Sequence, residues 1–319
     1  MLLALCSRVD AQQQEKIFRI GFLDGSSVSS SRLRLEAFWR EIRKLGWIEG
    51  KNITIESRFA EGDPGRLPEL AAELVRLNID LIVVVATPSA LAAKNATATI
   101  PIVMTSSGDP VGAGLVASLS RPGGNVTGMS TQAFALNTKK LEILKDTVPK
   151  LARLGYLRLA EGSVGIAGGL EIKEFRPAAA ALSIKVEELQ TQLDPKALES
   201  AFQTAQQRQV GAIVPSPNPL FFDERKRIVE LARKYRFPAI YSQSEYVDEG
   251  GLMSYGADYA DLYRRAAVYV DKILKGAKPG DLPVQQATKF EFVINLKAAK
   301  QIGLTIPVRV LERANQIIK

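Results

Sequence analysis

The chain has 319 residues, 46% of them hydrophobic and 24% charged, with a formal charge of +8, a single cysteine and no histidine. That length divides naturally into two domains of about 150 residues, each able to bury its own core. No stretch reaches the ~18 apolar residues of a membrane span. One cysteine excludes an internal disulfide framework, and the lack of histidine weighs against triads, metallohydrolases and most general-base chemistry. The positive charge is spread along helix faces, as at Arg32, Arg34, Arg40, Arg43 and Lys44, with acids interleaved. It reads as solvated surface, so no nucleic-acid partner is expected, though it adds a long-range attraction for anions.

Residues 1–16 read as a leader or its remnant. Met1–Cys6 is like the end of a secretory apolar stretch, and Asp10–Lys16 is polar. Leu5 stands before Cys6, where lipid attachment needs a small residue, so acylation is not expected. Ile17–Leu23 then predicts a strand, followed by the polar loop Asp24–Ser31. A helix carries Leu33, Ala37, Phe38, Ile42 and Leu45 on one face and stops at Gly46. Asn52–Phe59 alternates as a half-buried strand. Asp63 and Pro64 start a helix whose buried stripe is Leu67, Leu70, Ala71, Leu74 and Leu77. Asp80–Ala86 is the continuous apolar run of a strand covered on both faces. Thr87-Pro88-Ser89 opens the next helix, with Thr87 as its cap, and Ile100–Met104 is the following strand.

The rhythm breaks at Arg121–Asn125 and then resumes. The order is helix Leu136–Thr147, strand Leu151–Leu157, glycine-rich loop Gly162–Gly169, helix Glu171–Leu182, strand Lys185–Leu189, helix Ala197–Arg208, strand Val210–Val214 and helix Asp223–Tyr235. Strands Pro238–Tyr241 and Leu252–Tyr255 close the series. Strand–helix alternation at this spacing predicts right-handed crossovers and parallel sheets. Two similar doubly wound α/β domains follow.

In open parallel sheets, ligands bind beyond the carboxyl ends of the strands. That rule selects the loops Asp24–Ser31, Ala86–Ser89, Thr105–Pro110, Pro215–Pro219 and Ser242–Glu245. The candidate ligand-binding residues on them are Asp24, Ser26, Thr87, Ser89, Ser106, Ser107, Asp109, Pro215, Ser216, Tyr241, Gln243 and Glu245. At Thr87-Pro88-Ser89 the backbone N–H groups of Ser89 and Ala90, at the positive end of a helix, suit a carboxylate or phosphate. The same residues equally describe a capped helix and nothing more. Asp109 is suited to an ammonium group, or only to the turn before Pro110. Tyr241, Tyr246 and Tyr255 lie near strand ends, as core, as rim, or as a platform for a flat ligand. No dinucleotide fingerprint, P-loop, CxxC or G-x-S-x-G is present. No catalytic residue, metal or cofactor is expected.

Several longer runs carry a resemblance. They include Leu45-Gly46-Trp47-Ile48-Glu49-Gly50-Lys51-Asn52, Arg58-Phe59-Ala60-Glu61-Gly62, Gly108-Asp109-Pro110-Val111, Leu119 through Gly128, and Gly251-Leu252-Met253-Ser254-Tyr255-Gly256. With Ala86-Thr87-Pro88 and Thr288-Lys289-Phe290-Glu291, they resemble the substrate-binding proteins of ABC transporters, including tryptophan- and tyrosine-binding members. The likeness covers residues 17–319.

What the resemblance implies is the type I periplasmic-binding-protein fold: two doubly wound parallel-sheet lobes joined by a three-strand hinge, with ligand enclosed between them. The lobes would be residues 17–129 plus 255–286, and 130–254 plus 287–319. Crossings fall near Gly128–Ser130, Ser254–Gly256 and Gln285–Thr288. It also implies a monomeric periplasmic receptor for a small carboxylate, an amino acid or aromatic acid, partnered by ABC permease subunits in the membrane. One departure concerns the loop after the strand at Leu154–Leu157, where the family has Asn-Pro and this chain has Arg158 to Gly165. An enzyme of group transfer would need a nucleotide-diphosphate loop that is missing. A sensor domain would need a DNA-reading helical module, which sixteen leading residues cannot hold.

Overall fold

The computed structural model describes residues 16–160 and 165–319. The expected leader, including Cys6, lies outside the described residues, as do residues 161–164 of the expected glycine-rich loop and the side chain of Leu33. In chain order the elements are β1 (Phe18–Asp24), α1 (Val28–Lys44), β2 (Ile53–Phe59), α2 (Leu67–Arg76), β3 (Leu81–Val84), α3 (Ala86–Ala96), β4 (Ile102–Ser107), β5 (Val126–Ser130), α4 (Ala133–Thr147), β6 (Arg153–Leu159), α5 (Gly165–Ala181), β7 (Lys185–Thr191), α6 (Pro195–Gln207) and β8 (Ala212–Pro215). There follow α7 (Pro219–Asp223), α8 (Arg225–Lys234), β9 (Ile240–Tyr241), α9 (Glu245–Asp248), β10 (Met253–Ala257), α10 (Tyr259–Leu274), β11 (Gln285–Gln286), β12 (Phe290–Asn295), α11 (Leu296–Gln301), α12 (Val308–Leu311) and β13 (Gln316–Ile318).

The first sheet has the order β11-β5-β4-β3-β1-β2 and is parallel throughout. Its strands are apolar on both faces because both faces are covered. Ile20, Phe22, Leu81 and Val83 point to α1 and α10 and pack with Phe38, Ile42, Leu262 and Tyr263. Leu23, Ile82 and Val84 point the other way and pack with α2 and α3 through Leu67, Leu70, Leu74 and Ala90. Each such buried side chain contributes roughly 1.5–3 kcal/mol.

The second sheet is built from β7-β6-β8 and β13-β12-β10-β9, joined by a parallel bridge between Ile213 and Ala239. Among the described residues of this sheet only the β10–β12 pair is antiparallel. Tyr156, Leu141, Leu144 and Phe175 form the core on one face, and Leu157, Leu198, Phe202 and Ile228 the core on the other.

The chain passes between the sheets three times: after β5, after β10, and between β11 and β12. The second passage comes after Ala257, past the expected Ser254–Gly256, because all five residues of β10 pair with β12. The passages are tied together. Ala287 N–H donates to the Ser130 carbonyl (2.8 Å), Asp258 N–H to the Lys289 carbonyl (3.0 Å), and Gln132 Nε2 to the Ala287 carbonyl (2.9 Å). Lys289 Nζ reaches Asp261 at 2.8 Å, and Arg265 grips Gln285. At Gly128, with φ +130°, a Cβ would sit 2.5 Å from the Met104 nitrogen, so this strand of the hinge needs glycine.

Two elements differ from the sequence reading. The glycines of 165–169 form the first turns of α5 rather than a loop. Glycine costs a helix about 1 kcal/mol per residue but does not forbid it, and packing of Phe175 and Ala179 decides. The helix expected over Asp223–Tyr235 is α8, Arg225–Lys234, and a further short helix that was not expected, α7, precedes it over Pro219–Asp223.

Candidate functional site

The loops that follow β1 and β3 meet the segment that follows β8 across the cleft. At β1, Asp24 is 1% exposed. Its Oδ1 accepts from Ser26 N (2.9 Å) and Ser26 Oγ (2.7 Å), and its Oδ2 from Ser31 Oγ. Asp24 and Ser26 therefore build the loop that carries the start of α1, and both are turned inward.

At β3 the local structure departs from the expected cap. Val85 is the N-cap of α3 and makes no side-chain cap bond. Ala86 takes the left-handed conformation, φ +60°, a strain of roughly 1–3 kcal/mol for a residue with a side chain, of the kind that gathers at functional sites. Thr87 does not cap the helix: its Oγ1 lies 3.1 Å from Ser107 Oγ and accepts from Gly108 N at 3.3 Å. Among the described residues no side chain caps the N-terminal N–H groups of this eleven-residue helix. Ser89 is 1% exposed, and its hydroxyl has no hydrogen-bond partner among the described residues. It lines a cavity walled by Pro64, Leu67 and Pro88 from one sheet's loops and by Asn218, Pro219 and Leu220 from the other's.

At the end of β4, Ser106 and Ser107 are buried, and the Ser107 carbonyl accepts from Thr131 N at 2.8 Å, at the first hinge passage. Asp109 Oδ1 accepts from Val111 N (3.1 Å) and Gly112 N (2.9 Å). That is the turn-building role of the two roles the sequence allowed.

In the second lobe Pro215, Ser216, Tyr241 and Gln243 share a small cavity with Asn218 and Phe222. Ser216 N donates to the Leu157 carbonyl at 2.8 Å. Gln243 Oε1 is buried without a partner among the described residues. Tyr241 and Tyr246 stack on each other, 4.5 Å between ring centres and 9° between planes, inside the core. Burial pushes the Tyr241 phenol well above its ordinary range. Both rings also line the small cavity beside Ser216 and Gln243. Tyr255 stacks instead on Phe290 at 6.4 Å. Glu245 stands apart, near Glu291, whose carboxyl is raised by burial and by the negative charges of Asp258, Glu245 and Asp248.

Three residues of this region were not singled out by the sequence reading. Lys140 is 1% exposed, and its Nζ donates to Ser242 Oγ at 3.0 Å. Asn137, one turn earlier, is fully buried, with neither amide atom bonded among the described residues. Their helical spacing with Leu141 and Leu144 placed both on the inner face, a signal legible in the chain. Asn218, which caps α7 through Leu220 N (2.9 Å), gave a weaker one, as an Asn before Pro219.

Two α/β lobes with a cleft between them and three tied crossings define a hinged binding protein. The chain belongs to the family described as ABC transporter substrate binding protein, which matches residues 30–318. A tyrosine-binding protein of Clostridioides difficile is 29% identical over 303 residues, 93% of this chain and 83% of that protein. A conserved domain protein from Vibrio cholerae superposes with a TM-score of 0.86 at 31% identity, over 95% of this chain and 100% of that one. An ABC domain from Streptococcus pneumonia in complex with L-Trp gives 0.85 at 29% identity, with the same coverage. The fold is that of the type I periplasmic binding proteins, and the family consists of binding proteins rather than enzymes.

Proposed function

We propose that the protein is the extracytoplasmic, periplasmic receptor of an ABC uptake system and closes on a small carboxylate ligand, an aromatic amino acid in the first instance. The observation that carries this reading is Ser89. Among the described residues the buried Ser89 hydroxyl has no partner and no side chain caps the N–H groups at the positive end of α3, and Ser89 lines a cavity with walls from both lobes. Such a helix end favours a carboxylate. The relatives that bind tyrosine and L-Trp support the amino-acid class. The lobe arrangement supports closure: the TM-score is 0.85 to the L-Trp complex but 0.66, at 25% identity, to a ligand-free, open substrate-binding protein of Clostridium difficile.

In this reading the expected lobes, with the second boundary moved past β10, are the bodies that move: residues 17–129 with 258–286, and residues 130–257 with 287–319. The protein acts as a monomer and hands its ligand to permease subunits in the membrane. Among the described residues no helix is long and apolar enough to cross a membrane.

A thermal-shift screen of amino acids, keto acids, aromatic acids, sugars and nucleotides tests the ligand class. Ligand at 100 times its dissociation constant adds about 2.7 kcal/mol of stability, a shift that is easily read. Hits confined to sugars or nucleotides would refute the carboxylate reading.

A further inference from the structure

The two lobes touch away from the hinge, and the contact is chemically one-sided. Helix α1 is 17 residues long, with Ser27 as its N-cap: the Ser27 hydroxyl accepts from Ser30 N. Its first turn contains no acidic residue, and its last turn holds Arg43 and Lys44. Within its own lobe this positive end meets one carboxylate, the buried Asp24, which accepts from the Ser31 hydroxyl in the first turn of α1. A second carboxylate comes from the other lobe. Asp223, at the end of α7, accepts the Ser27 N–H through Oδ2 at 3.4 Å, 196 residues away in sequence.

The element that carries Asp223 is held stiffly. Asn218 caps α7, Pro219 stands in its first turn, and Leu220, Phe221 and Phe222 are buried. Pro219 and Leu220 meanwhile cover the cavity beside Pro64, Leu67 and Ser89. One short helix therefore sets a charge on α1 and an apolar knob over the starts of α2 and α3.

We infer that Asp223 is a positioning residue for ligand affinity: it latches the lobes in the closed arrangement by bringing a second carboxylate to the start of α1 from across the cleft, and does not touch the ligand. The contact can form only when the lobes are closed, so it shifts the closed–open equilibrium of the free protein. A carboxylate at a helix N-terminus shifts an equilibrium by about two- to thirtyfold. Apparent ligand affinity falls in proportion to the closed fraction lost. The inference rests on the closing two-lobed receptor and not on the ligand class.

The test needs no ligand. In a Cys6→Ser background, Lys51→Cys on one lobe and Gln206→Cys on the other, both exposed, carry a dye pair for single-molecule energy transfer. The unliganded protein should show a short-distance population. Asp223→Asn should reduce it, Asp223→Ala should reduce it two- to thirtyfold, and 1 M salt should reduce it in the unmutated protein. An unchanged melting temperature in Asp223→Asn shows that the fold is kept, since a merely structural Asp223 would move the melt and leave the distances alone. Distances that are the same in all three proteins and insensitive to salt, or no short-distance population in the unmutated protein, would overturn the inference.

Discussion

Thr87 Oγ1 and Ser107 Oγ lie 3.1 Å apart, joining the start of α3 to the end of β4. Thr87 also accepts from Gly108 N, so one hydroxyl spans two of the loops that the strand-end rule selects. The side chain that by sequence alone would cap α3 is spent on this bridge. The helix start is left open to another acceptor.

Replacing Thr87 by valine keeps the shape and removes the bridge. Thr87→Val should lower stability by about 0.5–1.5 kcal/mol, the net worth of an ordinary hydrogen bond. Urea unfolding at neutral pH measures it, and a loss well above that range would mean that the loop itself rearranges.

Ser89 and Asp109 should separate cleanly in calorimetry with L-tryptophan, L-tyrosine and their deaminated counterparts. Ser89→Ala should weaken whichever carboxylates bind by on the order of tenfold, because the backbone donors remain. Asp109→Ala should affect amino acid and deaminated acid alike, since its carboxylate closes a turn with Val111 and Gly112. A loss confined to the amino acid would instead assign Asp109 to the ammonium group.

At the hinge, Gly128→Ala places a methyl group against the Met104 backbone at a φ that disfavours side chains. The cost should exceed about 2 kcal/mol. Thermal unfolding gives the magnitude, and small-angle scattering should show a changed lobe arrangement in whatever fraction folds.

Asp261 offers a pH test of the same hinge. Burial works to raise its carboxyl, but the hydrogen bond from Lys289 and the charges of Lys289, Arg265 and Arg264 outweigh it and hold the group below its ordinary range. A carboxyl depressed in the folded state stabilises the fold above its unfolded pKa of about 3.9 and loses that contribution as the pH falls through the folded value. Asp261→Asn should therefore cost about 1–3 kcal/mol at pH 7, and the gap to the unmutated protein should narrow below pH ~4. Unfolding curves between pH 3 and pH 7 decide it. A gap independent of pH would mean that shape, not charge, is what Asp261 supplies.

The amino-acid sequence by itself determined the layered architecture, because its signal is local. Apolar runs such as Phe18–Asp24 and Leu81–Val84 need cover on both faces, and the helical stripes Leu67, Leu70, Ala71 and Leu74 on one side and Phe38 and Ile42 on the other provide it. The loops at strand ends were legible for the same reason. Tertiary structure alone decided which side chains on those loops are available. Asp24 turned inward to Ser26 and Ser31, Thr87 crossed to Ser107, and Tyr241 and Tyr246 stacked on each other in the core. Those choices depend on partners 2 to 20 residues away, in the same loop or on neighbouring strands and loops, and no propensity of the residue itself selects among them. The meeting of Asp223 with Ser27 across 196 residues is the extreme case: it exists only because two separately folded sheets are brought face to face.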